Sequence, residues 1–532
     1  MKPGDYRRDY AAYCAALARA RYDFHVGRAP ELQLAPLHER YADLWTRERL
    51  AELEQAQRDT PAQFETERTA LRRLLNVARL GYIAAQTREV AAELARCEAA
   101  AQIAWPDARV AATDAPTLIA NEPDAPRRRE LAARQRDALQ SCDDLRAAHL
   151  NTLNTTAAAL GFTSHFALLD EATQTDEQTM TAAAGALLAR TGDAYREHLH
   201  AWAARHLPPP QARTPIFADS LFFARLAQFD QRFPASDLAR TYAATMSGLG
   251  IRVERQTNLR VEWIAGSIQT AAQTAQLFAQ SARPLNAICF DLAPPTDVHL
   301  VVGTNGGAEA YRAFFQAAGG AQQLAWVSRD MAERYPEFVR GPDATTRAAY
   351  GFLFRHLLHD PAWLEAQRGL KASDAKTTAG AFALVELHDV RRCCAQLLHE
   401  QMLATASDPR AENLAVEYAA TLTDATGFAY DPALHLWAST KHLSTMRPAS
   451  CSQMLLPPAS ALRACLFAVV LGEHLRTRHG LRWWTTRTAG DELIDLWNTG
   501  ARYTVEELAS LIGAGALDVE LLADSLLRVT NE

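Results

Sequence analysis

Through almost the whole chain apolar side chains recur every three or four residues, a period that restricts the fold to packed helices. Segments 6–27, 31–57 and 61–104 carry it between Arg, Glu and Gln, and 127–160 resumes it after Asn121-Glu122-Pro123-Asp124-Ala125-Pro126. Thr173-Gln174-Thr175-Asp176 offers caps for a helix over 177–206, which Pro208-Pro209-Pro210 stops. Shorter helices are expected over 216–250, and further helices from 343 to the C-terminus, with breaks at Asp360-Pro361, Asp408-Pro409, Asp431-Pro432 and Pro457-Pro458. One region departs from the period. Residues 285–292 and 298–303 read as strands joined by Pro294-Pro295-Thr296-Asp297, and a helix over 308–326 follows at once. The expectation is a mainly α fold with a small sheet inside it. It divides into an N-terminal helical region, 1–180, and a second helical region, 181–532, with no linker between them.

Composition excludes several classes of function. The chain has 532 residues, 48% hydrophobic and 22% charged, with a formal net charge of −7. That balance gives no basic surface for nucleic acid or for an anionic membrane. The most apolar run, 464–472, falls far short of the roughly 20 residues that span a bilayer. The N-terminus carries charges where a signal peptide needs an apolar stretch. The eight cysteines include no C-x-x-C pair, and Cys393-Cys394 are adjacent, so a reduced, cytoplasmic setting is expected.

The helix over 311–326, YRAFFQAAGGAQQLAW, raises a chemical question. A zinc hydrolase helix reading H-E-x-G-H-x-x-H places two imidazoles at i and i+4 to grip one metal, with a carboxylate beside them as general base. Here the corresponding residues are Gln316-Ala317-Ala318-Gly319-Gly320-Ala321-Gln322-Gln323. The spacing is kept without the ligands or the base. The Gly319-Gly320 pair costs roughly 1 kcal/mol per glycine in a helix interior, a cost that a closely packed backbone or ligand would explain.

Four stretches together resemble the thimet oligopeptidase and oligoendopeptidase F family of zinc metallopeptidases. They are NEPDAPRRR at 121–129, the strand pair with 306–326, YGFLFRHLLHDPAWL at 350–364, and 471–512 with Trp483-Trp484, Leu496-Trp497 and Arg502–Leu508. The resemblance implies a two-lobed, zincin-type helical fold around a deep channel, with the strand pair next to the former zinc helix. It places the first zinc histidine on Gln316, the base on Ala317, the second histidine on Gly320 and the glutamate ligand near Ala348. Gln322 and Gln323 would line the chamber. The tyrosines that the family uses on substrate have no counterpart in 454–461. Zinc, the cofactor of the family, is therefore not expected here, and no catalytic residue is assigned.

The leading reading is an oligopeptidase-like protein without peptidase chemistry, a pseudopeptidase. It would bind a peptide or small ligand in the channel, or a protein partner such as an active paralogue or a second copy of itself. Two alternatives stand beside it: an active metal-dependent hydrolase with displaced ligands, for which His356 and His359 are the candidates, and a structural subunit. Asp360 before Pro361 reads more simply as a helix cap than as part of a metal site. Helix 311–326 also has a plainer reading, as a buried helix that never held zinc. Cys393 and Cys394 read as positions on an amphipathic helix, and His388 and His442 as hydrogen-bonded residues. Ser452 lacks a nucleophile-elbow context.

Overall fold

The structure, a computed structural model, describes residues 2–105, 108–209, 211–264, 287–303, 306–440 and 456–531. The expected helical body is present, with the boundaries that local capping dictates. Asp176 accepts from the Thr179 amide and starts helix Glu177–His206. Asp124 accepts from the Arg127 amide and starts helix Ala125–Gln140. Asp360 accepts from the Ala362 and Trp363 amides, with Pro361 opening helix Pro361–Arg368.

The expected strands are β4 (Ala287–Ala293) and β5 (Asp297–Gly303), an antiparallel pair with Cys289 opposite Leu300. Leu285 and Asn286 lie outside the described residues. β3 (Leu259–Ile264), which the periodicity did not mark, pairs parallel with β5 and makes β5 the central strand. Each face of the β4–β5 pair is buried. Ala287, Cys289, Val298, Leu300 and Val302 enter the largest apolar core. Ile288, Phe290, Leu292 and Val301 pack on Ala18 and Tyr22 of the first helix, Pro3–His25. Burial on both faces is why these strands read as continuous apolar runs rather than as alternation.

The expected helix 61–104 is in fact two helices and a strand. Glu65–Gln86 and Arg88–Ala100 are separated at Thr87, and β1 (Gln102–Trp105) turns back on β2 (Ala108–Ala111) as a hairpin. Ala-rich composition hid the break. The cysteines need a larger correction. Cys97 and Cys142 form a disulfide across 45 residues of sequence, joining helix Arg88–Ala100 to helix Asp143–Ala158. Nothing in their local sequence marks the pair, because only the packing of the two helices brings them together. Cys393 fits the unreactive reading: its thiol donates to the Pro458 carbonyl, and burial pushes its pKa up to about 12.

The large core runs from Met180 to Leu527, and smaller clusters serve the N-terminal helices. Helix Pro458–His479 has an apolar window long enough to cross a bilayer, but 83% of that window is buried inside the protein, as in a core helix. Among the stretches that suggested a family, Arg128 of 121–129 is fully buried and bonds Asp219 at 2.7 and 3.1 Å. Trp484 and Trp497 are likewise core residues.

Candidate functional site

Helix Ala308–Ala325 leaves β5 through two glycines. Gly307 has φ +110°, and a Cβ there would meet Asp230 Oδ1 at 2.5 Å. That same oxygen accepts from the Ala308 amide at 3.0 Å, so Asp230 puts a negative charge at the helix N-terminus. Helix Thr345–Arg355 crosses this helix where the zinc residues would stand. A Cβ on Gly319 would lie 2.4 Å from the Tyr350 carbonyl oxygen, and one on Gly351 would lie 2.7 Å from the Gln316 carbonyl oxygen. The close backbone approach accounts for glycine in a helix interior. A Cβ on Gly320 would lie 3.1 Å from Arg347 Cγ, so an arginine stem fills the space beside that position. Ala317 is buried, and Ala348, next to Arg347, is half-buried.

Gln316 is held by a cation. Arg355 Nη1 donates to Gln316 Oε1 at 2.9 Å, and Arg355 Nη2 donates to Glu386 Oε1. Glu386 belongs to the long helix Ala372–Thr405 and is fully buried. Its second oxygen accepts from Arg312 at 3.3 Å, and Arg312 also pairs with Asp389 and lies 3.6 Å from Glu309. Arg312 and Gln316 are four residues apart, on one face of the helix. Burial opposes every charge here; mutual attraction outweighs it at Glu386 and Arg312, whereas at Arg355 burial wins and lowers the guanidinium pKa. Arg355, His356 and Arg312 hold the Glu386 carboxyl well below the usual carboxylate range. The carboxylates of Asp389, Glu309 and Glu386 raise Arg312.

The donor set does not fit zinc at the position the family uses. One amide oxygen already taken by a guanidinium, a methyl group and a glycine cannot replace two imidazoles and a base. Gln322 and Gln323, expected as chamber-lining groups, are buried in the core. The Gln322 amide is fully engaged: Nε2 donates to Tyr242 at 2.7 Å and Gln256 at 3.0 Å, and Oε1 accepts from Gln256 and Trp326.

His356 and His359 occupy one turn of 3₁₀ helix, with rings stacked at 4.9 Å. Burial lowers both pKa values, well below the usual range for His359. His356 Nε2 lies 3.7 Å from Glu386 Oε1, and Cys465 Sγ lies 3.8 Å from the same oxygen. The sequence offered His356 but not Glu386, Cys465, Arg355 or Arg312. The one available signal was the four-residue step from Gly351 to Arg355, which puts a cation on the face that meets Gln316. His388 is core, bonded to the Tyr195 hydroxyl at 2.8 Å. His442, Ser452, Met454 and Leu455 lie outside the described residues.

Comparison with solved structures fits this geometry to known proteins. A carboxypeptidase of Pyrococcus furiosus superposes with a TM-score of 0.60 and 12% identity, over 98% of this chain and 97% of its own. A protein described as oligoendopeptidase F from Bacillus anthracis gives 0.56 and 10% identity, over 96% and 84%. The fold is that of the oligoendopeptidases. PZ peptidase A has the same likeness, with a TM-score of 0.55 and 11% identity over 88% and 79%. No model of a protein family matches the sequence, and no curated protein sequence does. At these identities the likeness is one of fold. In this chain the crossing of helices 308–325 and 345–355 carries Gln316, Gly320, Arg347 and Arg355.

Proposed function

We propose that this protein keeps an oligoendopeptidase fold without zinc-peptidase chemistry and works by binding. The ligand is a peptide or small molecule in the interior of the fold, or a protein partner such as an active paralogue. One observation carries the reading: the Arg355 guanidinium sits 2.9 Å from Gln316 Oε1. A fixed cation bonded to the residue in the first ligand position repels the divalent ion that hydrolysis needs, and Ala317 supplies no base. The Cys97–Cys142 bond argues against a reducing compartment, so a cytoplasmic location is not part of the proposal.

The test is turnover of a quenched-fluorescent peptide library with the full chain, with and without added zinc. No cleavage above a buffer control is expected in either case. Zinc-dependent cleavage that follows the protein through purification would overturn the reading. The cluster at His356, Glu386 and Cys465 favours the displaced-ligand hydrolase as second reading, which predicts cleavage that His356→Gln abolishes.

A further inference from the structure

We infer that the cleft bounded by helices Glu177–His206, Pro458–His479 and Val519–Asn531 binds a small carboxylate with a short apolar body, its head held by Arg528 and Arg476. The last helix builds one wall. Leu522, Ala523, Leu526 and Leu527 are buried at helical spacing, which turns Asp524 and Arg528 to the solvent face. Asp524 and Glu520 share Arg190 of the first helix, at 2.6 and 3.0 Å. Glu473 lies 3.6 Å from Arg476 on the second helix. Each acid therefore has an arginine beside it. Arg528 makes no ion pair among the described residues and is the cation left over.

The cleft has a volume of about 660 Å³, a size that takes a small ligand. Val469, Leu521 and Leu527 give it an apolar wall. At its floor a second cavity, of about 40 Å³, runs in to His356, His359 and Asp360. Arg476, Ser525 and Arg528 line both, so two guanidinium groups and a hydroxyl stand at the neck between them. Unmet hydrogen bonding marks the inner end. His359 is 8% exposed, and its Nε2 is buried with no hydrogen-bond partner among the described residues.

The inner cavity has room for one water. It does not take an anion, because the Asp360 carboxylate lines it as well; that group caps the Ala362 and Trp363 amides and accepts from Trp484 at 3.2 Å. The head of the ligand therefore stops at the neck. There Arg528 and Arg476 donate to its two oxygens, Ser525 supplies a hydroxyl, and the water below joins it to His359. A carboxylate matches two cations with two oxygens, and its apolar body covers Val469, Leu521 and Leu527. Phosphate brings more charge and nothing for that wall. Gln316, Ala317 and Gly320 lie outside the cleft, so it does not rest on the reading of the crossing.

The experiment titrates the purified full chain by calorimetry with isocaproate and with acetyl-leucyl-leucine, each beside its amide, and with inorganic phosphate. Saturable binding of at least one carboxylate is expected, with its amide weaker by at least about tenfold. Binding of isocaproate shows that a free small acid suffices; binding of the dipeptide alone assigns the cleft to peptide ends. Arg528→Ala should weaken the bound carboxylate by at least about tenfold, and Arg528→Lys by less, since the charge stays and the fork is lost. Arg528 is exposed, so both variants keep the fold. His359→Phe, checked for folding by circular dichroism, should weaken binding by removing the partner of the water; if it does not fold, Arg528→Ala decides alone. Binding of neither carboxylate overturns the site. So do amides that bind as well as the acids, phosphate that binds more tightly than either acid, or unchanged affinity in Arg528→Ala or in folded His359→Phe. Peptide cleavage is not read, so failure here leaves the reading of the crossing standing, and cleavage would leave this cleft standing.

Discussion

Helices 308–325 and 345–355 meet in two ways within two turns of each other. At Gly319 and Gly351 backbone approaches backbone, and no side chain stands between them. At Arg312, Gln316 and Arg355 the same helices are joined by long polar side chains that converge on the buried Glu386. The first contact, at the two glycines, offers no side chain that could do chemistry. The second has gathered charge, imidazole and thiol at one place. The contrast teaches that one helix crossing can be closed by bare backbone at one end and by buried charge at the other. Glycines let the helices close, and Arg355, one turn beyond Gly351, bonds the Gln316 amide oxygen.

The contrast predicts graded effects. The largest belongs to Arg355→Ala, which leaves Gln316 without its donor and Glu386 with one partner fewer. Breaking a buried pair from one side costs about 3–5 kcal/mol, readable as a shift in urea unfolding. A loss smaller than that at the glycine crossing would reverse the ranking of the two contacts. Gly319→Ala comes next. Its methyl group would lie 2.4 Å from the Tyr350 carbonyl oxygen, and backbone cannot move aside cheaply. The strain of about 1–3 kcal/mol outweighs a helix-propensity gain of about 1 kcal/mol, so a net loss is expected in the same assay. Gly320→Ala has the smallest effect and the opposite sign. Its methyl group meets only the flexible Arg347 stem at 3.1 Å, so propensity wins and the protein gains up to about 1 kcal/mol. Equal losses at Gly319 and Gly320 would show that the crossing is not built on backbone contact.

The motif stretches suggested the fold only together, since no single one would decide it, and solved structures at 10–12% identity share that fold. The candidate site was legible only as a set of missing residues. His356 was visible and was set aside for the Asp360 cap; the cap is real, and the same turn also delivers His356 to Glu386. Arg355 attracted no notice, since an arginine at a helix end is ordinary until its partner is known.

By itself the sequence determined what is local. The 177–206 helix lies between Asp176 and the prolines after it, the β4–β5 pair turns at Pro294–Asp297, and Pro361 opens a helix behind its aspartate. Caps, turns and apolar period act over a few residues, so they are written where they act. Only the tertiary structure decided that β3 lies beside β5, that Cys97 meets Cys142, and that Arg355 reaches both Gln316 and Glu386. Those contacts join residues about 30 to 45 positions apart in sequence, and no local preference encodes them. They depend on how whole helices and strands pack once their apolar faces are buried.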